Sequence, residues 1–258
     1  MKLKQLLFAS AISVAICTQT AMAQTPRWLD PQVNRVNTEK SRSSFFAYES
    51  ESLAKKGVKE ESNRFLSMEG TWKFRFCKDH NLAPKNFFLP DYDDTLWDKF
   101  PVPGLFEMNG YGDKIYKNVG YAWATQFASN PPHVEEKNNY TGSYRRTFNI
   151  PAQWKGDRIY VHVGSATSNL TLWVNGKEVG YSEDSKLAAE FDITKSVVPG
   201  QKATIAMQGM RWCDGSYGAD QDFWRFTGIA REVYMYARPA AHIQDLFVTA
   251  GLTNNYTD

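Results

Sequence analysis

Runs of alternating apolar and polar residues, closed by tight turns, dominate this chain and limit what it can fold into. In Thr71-Trp72-Lys73-Phe74-Arg75-Phe76 every second side chain is aromatic. Ile159, Val161 and Val163 repeat the pattern, as do Leu170, Leu172 and Val174. A period of two sends successive side chains to opposite faces of an extended strand, so each run has one face to bury. Asn175-Gly176 then supplies a hairpin turn into 177–181, because both residues tolerate the left-handed backbone that a two-residue turn needs. Further strands are expected at 190–194, before the turn at Pro199-Gly200, and at 203–210 and 231–237. Short strands separated by turn signals, with few helical segments, predict an all-β chain built as a jelly-roll β-sandwich.

The two ends read differently. Residues 24–64 are polar and irregular, with spacing for one short helix within 49–63, and are expected to form an N-terminal arm lying over the main domain at 65–238. After Pro239, residues 242–248 read as a fresh strand followed by only ten residues, the start of another domain at 239–258. A lone strand buries no core of its own. Residues 1–23 have the pattern of an export signal: Lys2 and Lys4, an apolar stretch, then Ala21-Met22-Ala23 before Gln24. The stretch is too short to span a bilayer, and Ile16 before Cys17 is a poor match for lipid attachment. The expected location is periplasmic or secreted. Without the two signal lysines, basic residues equal the 28 acidic ones. That balance argues against a nucleic-acid partner or an electrostatically held membrane. Cys17 belongs to the signal, and Cys77 and Cys213 are expected to be separate thiols rather than a disulfide.

The run at 212–229, WCDGSYGADQDFWRFTGI, is the densest chemical feature. It sets Asp214, Asp220 and Asp222 among Trp212, Tyr217, Phe223 and Trp224, followed by Arg225. Aromatic faces beside acceptor-only carboxylates suit a polyol, whose ring stacks while its hydroxyls are held by the acids. The same residues also fit a rigid loop whose acids cap backbone amides and pair with Arg211 and Arg225. The residues alone leave both readings open. The segment between Pro101 and Pro132 interleaves glycines with Phe106, Tyr111, Tyr116, Tyr121 and Trp123, fitting either a functional loop or a lid on the core.

No catalytic constellation stands out. His80, His133, His162 and His242 are scattered without metal-ligand spacing, and His162 is read as structural. Gly180-Tyr181-Ser182-Glu183 lacks the second glycine of a nucleophile elbow. Gly110-Tyr111-Gly112 is no dinucleotide fingerprint. Carboxylates are plentiful, but nothing marks one as acid and another as nucleophile.

Taken together, several motifs resemble a known family. They are Trp28 with Pro31 and Asn34-Arg35; Gly70-Thr71-Trp72-Lys73-Phe74; Val102-Pro103-Gly104; Ile115-Tyr116-Lys117-Asn118-Val119; Gly142-Ser143-Tyr144-Arg145-Arg146; Trp173-Val174-Asn175-Gly176 with Val179-Gly180-Tyr181-Ser182; Ala189-Glu190-Phe191-Asp192; and the 212–229 run. In this order they resemble the N-terminal, galactose-binding-like jelly roll of the β-galactosidases of glycoside hydrolase family 2. The resemblance implies a longer enzyme, with an immunoglobulin-like sandwich and a (β/α)8 barrel after the jelly roll. The enzyme would hydrolyse terminal β-galactosides with retention, through a galactosyl-enzyme. It implies that Asn118, with Val119 beside it, contacts the galactosyl ring. It also implies that Asp222 binds that ring and a sodium ion. Magnesium would serve the full enzyme through ligands outside this chain, and a homo-oligomer is compatible with the resemblance.

Two departures matter. Gly218-Ala219 stand where the family has Leu-Glu, and no Asn-Glu dipeptide of the family's acid/base glutamate occurs here. A barrel of about 250 residues does not fit after residue 239. The expectation is therefore a sugar-binding portion with no catalytic residue of its own and no turnover alone, whose partner is the catalytic barrel. The alternatives are a free carbohydrate-binding module, a piece that completes a defective enzyme in trans, or another family-2 glycosidase such as a β-glucuronidase or β-mannosidase.

Overall fold

The computed structural model describes residues 25–256. The expected export signal at 1–23 lies outside the described residues. Sixteen short strands carry the chain. The first eight are β1 (Arg35–Val36), β2 (Phe65–Ser67), β3 (Gly70–Cys77), β4 (Asp98–Val102), β5 (Gly104–Leu105), β6 (Ile115–Lys117), β7 (Thr141–Asn149) and β8 (Arg158–Val163). Then come β9 (Ala166–Thr167), β10 (Leu170–Val174), β11 (Lys177–Ser182), β12 (Ala189–Asp192), β13 (Lys202–Met210), β14 (Phe223–Arg225), β15 (Gly228–Ile229) and β16 (Val233–Arg238). A seven-stranded sheet has the order β1-β11-β10-β13-β7-β3-β4, and a four-stranded sheet the order β12-β8-β16-β2. Their pairings are antiparallel. The predicted all-β sandwich is what forms.

The alternation places the core between the two sheets. Trp72 and Phe74 of β3, Leu172 and Val174 of β10, and Ile205 and Met207 of β13 meet Val161 of β8 and Met235 of β16, all buried in one cluster. Gly142 shows how close the packing is: a Cβ there would lie 2.3 Å from the Phe106 ring. The hairpin turn forms as expected, with φ of 50° at Asn175 and 83° at Gly176.

The outer face of the four-stranded sheet is also aromatic, which the arm explains. Tyr160, Tyr234 and Tyr236 are buried there, and Phe46 of the arm packs against them. His162 stacks on Tyr234 at 4.5 Å and meets Glu190 through Nδ1 at 3.0 Å, a structural role as read from the sequence. The Arg42 guanidinium binds both Glu190 oxygens.

Two expectations are corrected. The arm does more than lie over the domain: β1 pairs with β11 and extends the seven-stranded sheet, because its backbone finds a free sheet edge. Residues 242–248 form no strand; no ladder among the described residues receives them. Side chains hold this segment instead, with Asp245 accepting from the Ser43 amide and hydroxyl. The expected helix appears as α1 (Glu51–Lys56), capped by Ser50. Cys77 and Cys213 are free thiols. No helix among the described residues is long and apolar enough to cross a membrane.

Candidate functional site

β6 and β14 form a two-stranded ribbon apart from the main sheets, with Phe223 opposite Lys117, Trp224 opposite Tyr116 and Arg225 opposite Ile115. The ladder ends at Phe223 and Lys117, and Asp222 and Asn118, far apart in sequence, are the next residue of each strand at that end of the ribbon. Val119 follows and is 81% exposed.

Alternation sorts the ribbon into two faces. One face holds Tyr116, Trp224 and Phe226: Trp224 packs on Tyr116 at 5.2 Å and stacks on Phe226 at 5.3 Å with an interplanar angle of 8°. The Tyr116 hydroxyl donates to Asp222 Oδ1 at 3.3 Å, and the carboxylate in turn raises the phenol's pKa. Tyr116 and Trp224 are half exposed, and Asp222 and Asn118 are exposed. This surface offers a ring face, a hydroxyl, a carboxylate and an amide, the chemistry a polyol needs.

The other face is turned inward and is charged. Arg225 is fully buried and donates to Ser216 Oγ at 2.9 Å, and also to Ser168 Oγ and the Arg211 carbonyl. Its burial lowers its pKa to about 10, so it stays a cation at neutral pH. Its Nη1 binds Asp220, whose side chain is 0% exposed. Arg211 lies 3.9 Å from Glu107, and Glu107 accepts from the Thr227 amide at 2.8 Å and hydroxyl at 2.9 Å. Burial nevertheless raises the Glu107 carboxyl above its usual range.

The three acids of the 212–229 run thus have separate fates. Asp222 faces outward, as the polyol reading requires. Asp220 is the inward ion-pair partner of the rigid-loop reading. Asp214 begins a single 3-10 turn, Asp214–Gly218. Nothing local in the sequence marks Lys186 or Glu107, and Tyr116 stands there only as one aromatic among several between Pro101 and Pro132. The period-two order of 222–226 was the available signal for the ribbon's faces.

Among the described residues, one group of three side chains has the spacing to hold a metal ion: Glu183, Cys213 and Asp214, with ligand atoms within 4.8 Å of one another. They lie beside a cavity of about 360 Å³ whose lining includes Asn34, Asp184 and Tyr217. Burial, with Asp214 nearby, pushes the Glu183 carboxyl up to about 9, and burial pushes the Cys213 thiol up to about 12. A cation there would have to displace those protons. Asp222 is not part of this group, so sodium at Asp222 would draw its other ligands from elsewhere.

An antiparallel sandwich with an aromatic and carboxylate surface is compatible with a carbohydrate-binding domain. The model of "Glycosyl hydrolases family 2, sugar binding domain" matches residues 65–239, and the chain belongs to that family. Among curated relatives, a Beta-galactosidase of Priestia megaterium is 38% identical over 90% of this chain, which covers 22% of that protein. A Beta-galactosidase of Vibrio vulnificus is 35% identical, with 90% of this chain and 22% of that protein covered. The Beta-galactosidase large subunit of Leuconostoc lactis is 35% identical, with 85% of this chain and 36% of that protein covered. The chain thus spans about a fifth to a third of the length of these relatives. Among solved structures, a Bacteroides uniformis beta-glucuronidase aligns with a TM-score of 0.52 at 23% identity, covering 68% of this chain and 18% of that one. This last likeness shows the fold.

Proposed function

We propose that this chain is the sugar-binding portion of an exported β-galactosidase and that the outer face of the β6–β14 ribbon contacts the galactosyl ring. Asn118 and Asp222 take ring hydroxyls, with Val119 at the edge. Asp222 supplies one ligand to a sodium ion, and magnesium serves the remainder of the enzyme. The observation that carries this reading is the Tyr116 hydroxyl donating to Asp222 beside an exposed aromatic stack, at the ribbon end that Asn118 follows. The names of the relatives at 35–38% identity support galactose over other sugars.

Hydrolysis needs a protonated acid at the leaving oxygen and a second carboxyl about 5 Å from it. Asp222 and the buried Asp220 do not meet that need, since Asp220 is taken up by cations. The acid and nucleophile belong to a partnering barrel, and the ribbon positions the sugar for them. The purified chain should leave a chromogenic β-galactoside intact and bind galactose with millimolar affinity, on the order of −4 kcal/mol.

A β-glucuronidase, another family-2 glycosidase, is the second reading. A glucuronate carboxylate beside Asp222 would meet like charge. Titration calorimetry with D-galactose and with D-glucuronate, on the chain and on Asp222→Ala, tests both. Galactose binding lost in Asp222→Ala supports the galactosyl site. Preference for glucuronate, or galactose binding indifferent to Asp222→Ala, overturns it.

A further inference from the structure

Asp220 is a carboxylate that the outward face of the ribbon does not use. Its side chain is 0% exposed, only two residues before exposed Asp222. Its Oδ2 is bound by Arg225 and its Oδ1 is paired with Lys186. The two cations come from different parts of the fold: Arg225 from β14, and Lys186 from the connection between β11 and β12. Arg225 is itself fixed by Ser168, Ser216 and the Arg211 carbonyl. The acid therefore joins the 218–222 loop to two rigid neighbours.

Lys186 makes a second contact with the same strip of chain. Its ammonium lies 4.6 Å from the centroid of the Phe223 ring. It holds the residue just after Asp222 as well as one just before it. The loop needs holding, because φ is 62° at Asp220 and 50° at Asp222, a left-handed backbone that residues other than glycine adopt at a cost. Carboxylates buried between two cations keep their geometry because losing one partner leaves the others uncompensated.

We propose that Asp220, clamped between Lys186 and Arg225, is a positioning residue that sets the 218–222 loop so that Asp222 faces the sugar beside Tyr116. The proposal rests on the reading of the ribbon as the galactosyl-contacting face. Asp220 touches no sugar; it acts through the backbone of Gln221 and Asp222. Lys186 is the accessible half of the clamp, 39% exposed at its side chain, so it can be changed without opening the core.

The test uses the 258-residue chain with Lys186→Met, Lys186→Arg, Asp220→Asn and Asp222→Ala. Each variant is measured for D-galactose affinity by NMR titration, for backbone order at 221–223 by heteronuclear NOE, and for melting temperature. Lys186→Met should weaken galactose binding about tenfold and lower the NOE at 221–223, and the melting temperature should fall because Asp220 loses one of its two cations. Lys186→Arg should restore both readouts, which a generally softened fold would not do. Asp222→Ala should lose galactose while the loop stays ordered. If Asp220→Asn does not fold, the Lys186 pair decides. Native affinity and loop order in folded Lys186→Met, with Asp222→Ala still losing the sugar, would overturn the clamp and leave the sugar face standing. Unchanged galactose binding in Asp222→Ala would remove the sugar face, and the clamp's purpose with it.

Discussion

The sandwich core and the underside of the β6–β14 ribbon are both buried, but different forces hold them. In the core, Phe74, Leu172, Ile205 and Met235 are at most 1% exposed and pack in one apolar cluster. Beneath the ribbon, Arg211, Arg225, Glu107 and the Asp220 carboxylate are equally buried and carry charge. Apolar packing is non-directional and loses stability in proportion to what is removed. A buried charge network is directional, and removing one member strands the rest. The core therefore sets whether the domain folds, and the network sets where Asp222 points.

The comparison is broken most forcefully at Arg225. Arg225→Met strands Asp220 without its inner cation, and the expected loss is about 3–5 kcal/mol in denaturant unfolding. A near-neutral result would mean the network carries no more than ordinary packing. Leu172→Ala should cost about 3 kcal/mol through its cavity. The fraction that remains folded should keep native galactose affinity, since the core does not touch the loop.

A third, smaller effect concerns acid. Glu190 is buried, which alone raises its pKa, but the hydrogen bond from His162 and the charge of Arg42 outweigh burial and hold it below the usual carboxylate range. A depressed folded pKa gives stability that is present above the unfolded value and lost as pH falls through the folded one. Stability should therefore drop below about pH 4 as the arm's Arg42 contact fails. Glu190→Gln should flatten that limb of a pH series of unfolding measurements. The smallest stability change belongs to Trp224→Ala. Trp224 is 43% exposed but packs on Tyr116 and Phe226, so the change should cost about 1 kcal/mol. It should still abolish measurable galactose binding, sharpening the separation of fold from site.

Much of the sandwich was legible because its strands bury one face each. The alternation of β3, β8 and β10 and the Asn175-Gly176 turn are local signals, and they fixed those strands without knowledge of their partners. The two-residue β1 carries no such signal; only the open edge of β11 makes it a strand. Residues 242–248 show the reverse, a segment that reads as a strand but has no ladder among the described residues to join. At the site, Asp214, Asp220 and Asp222 look alike in sequence. Which acid turns inward depends on Lys186 and Arg225, and Lys186 arrives from another connection. Asn118 and Asp222 come to the same ribbon end through the β6–β14 register, which no local pattern encodes.

The central claim is that the outer face of the β6–β14 ribbon is where this domain meets a galactosyl ring. The most direct measurement is a D-galactose titration of the chain, following the Asn118 side-chain amide and the Trp224 indole resonances by NMR. Both should shift together along one binding curve, with the Trp173 indole, stacked on Phe88, unmoved. Stationary Asn118 and Trp224 signals at saturating galactose, or shifts confined to His162 and the arm, would contradict the account.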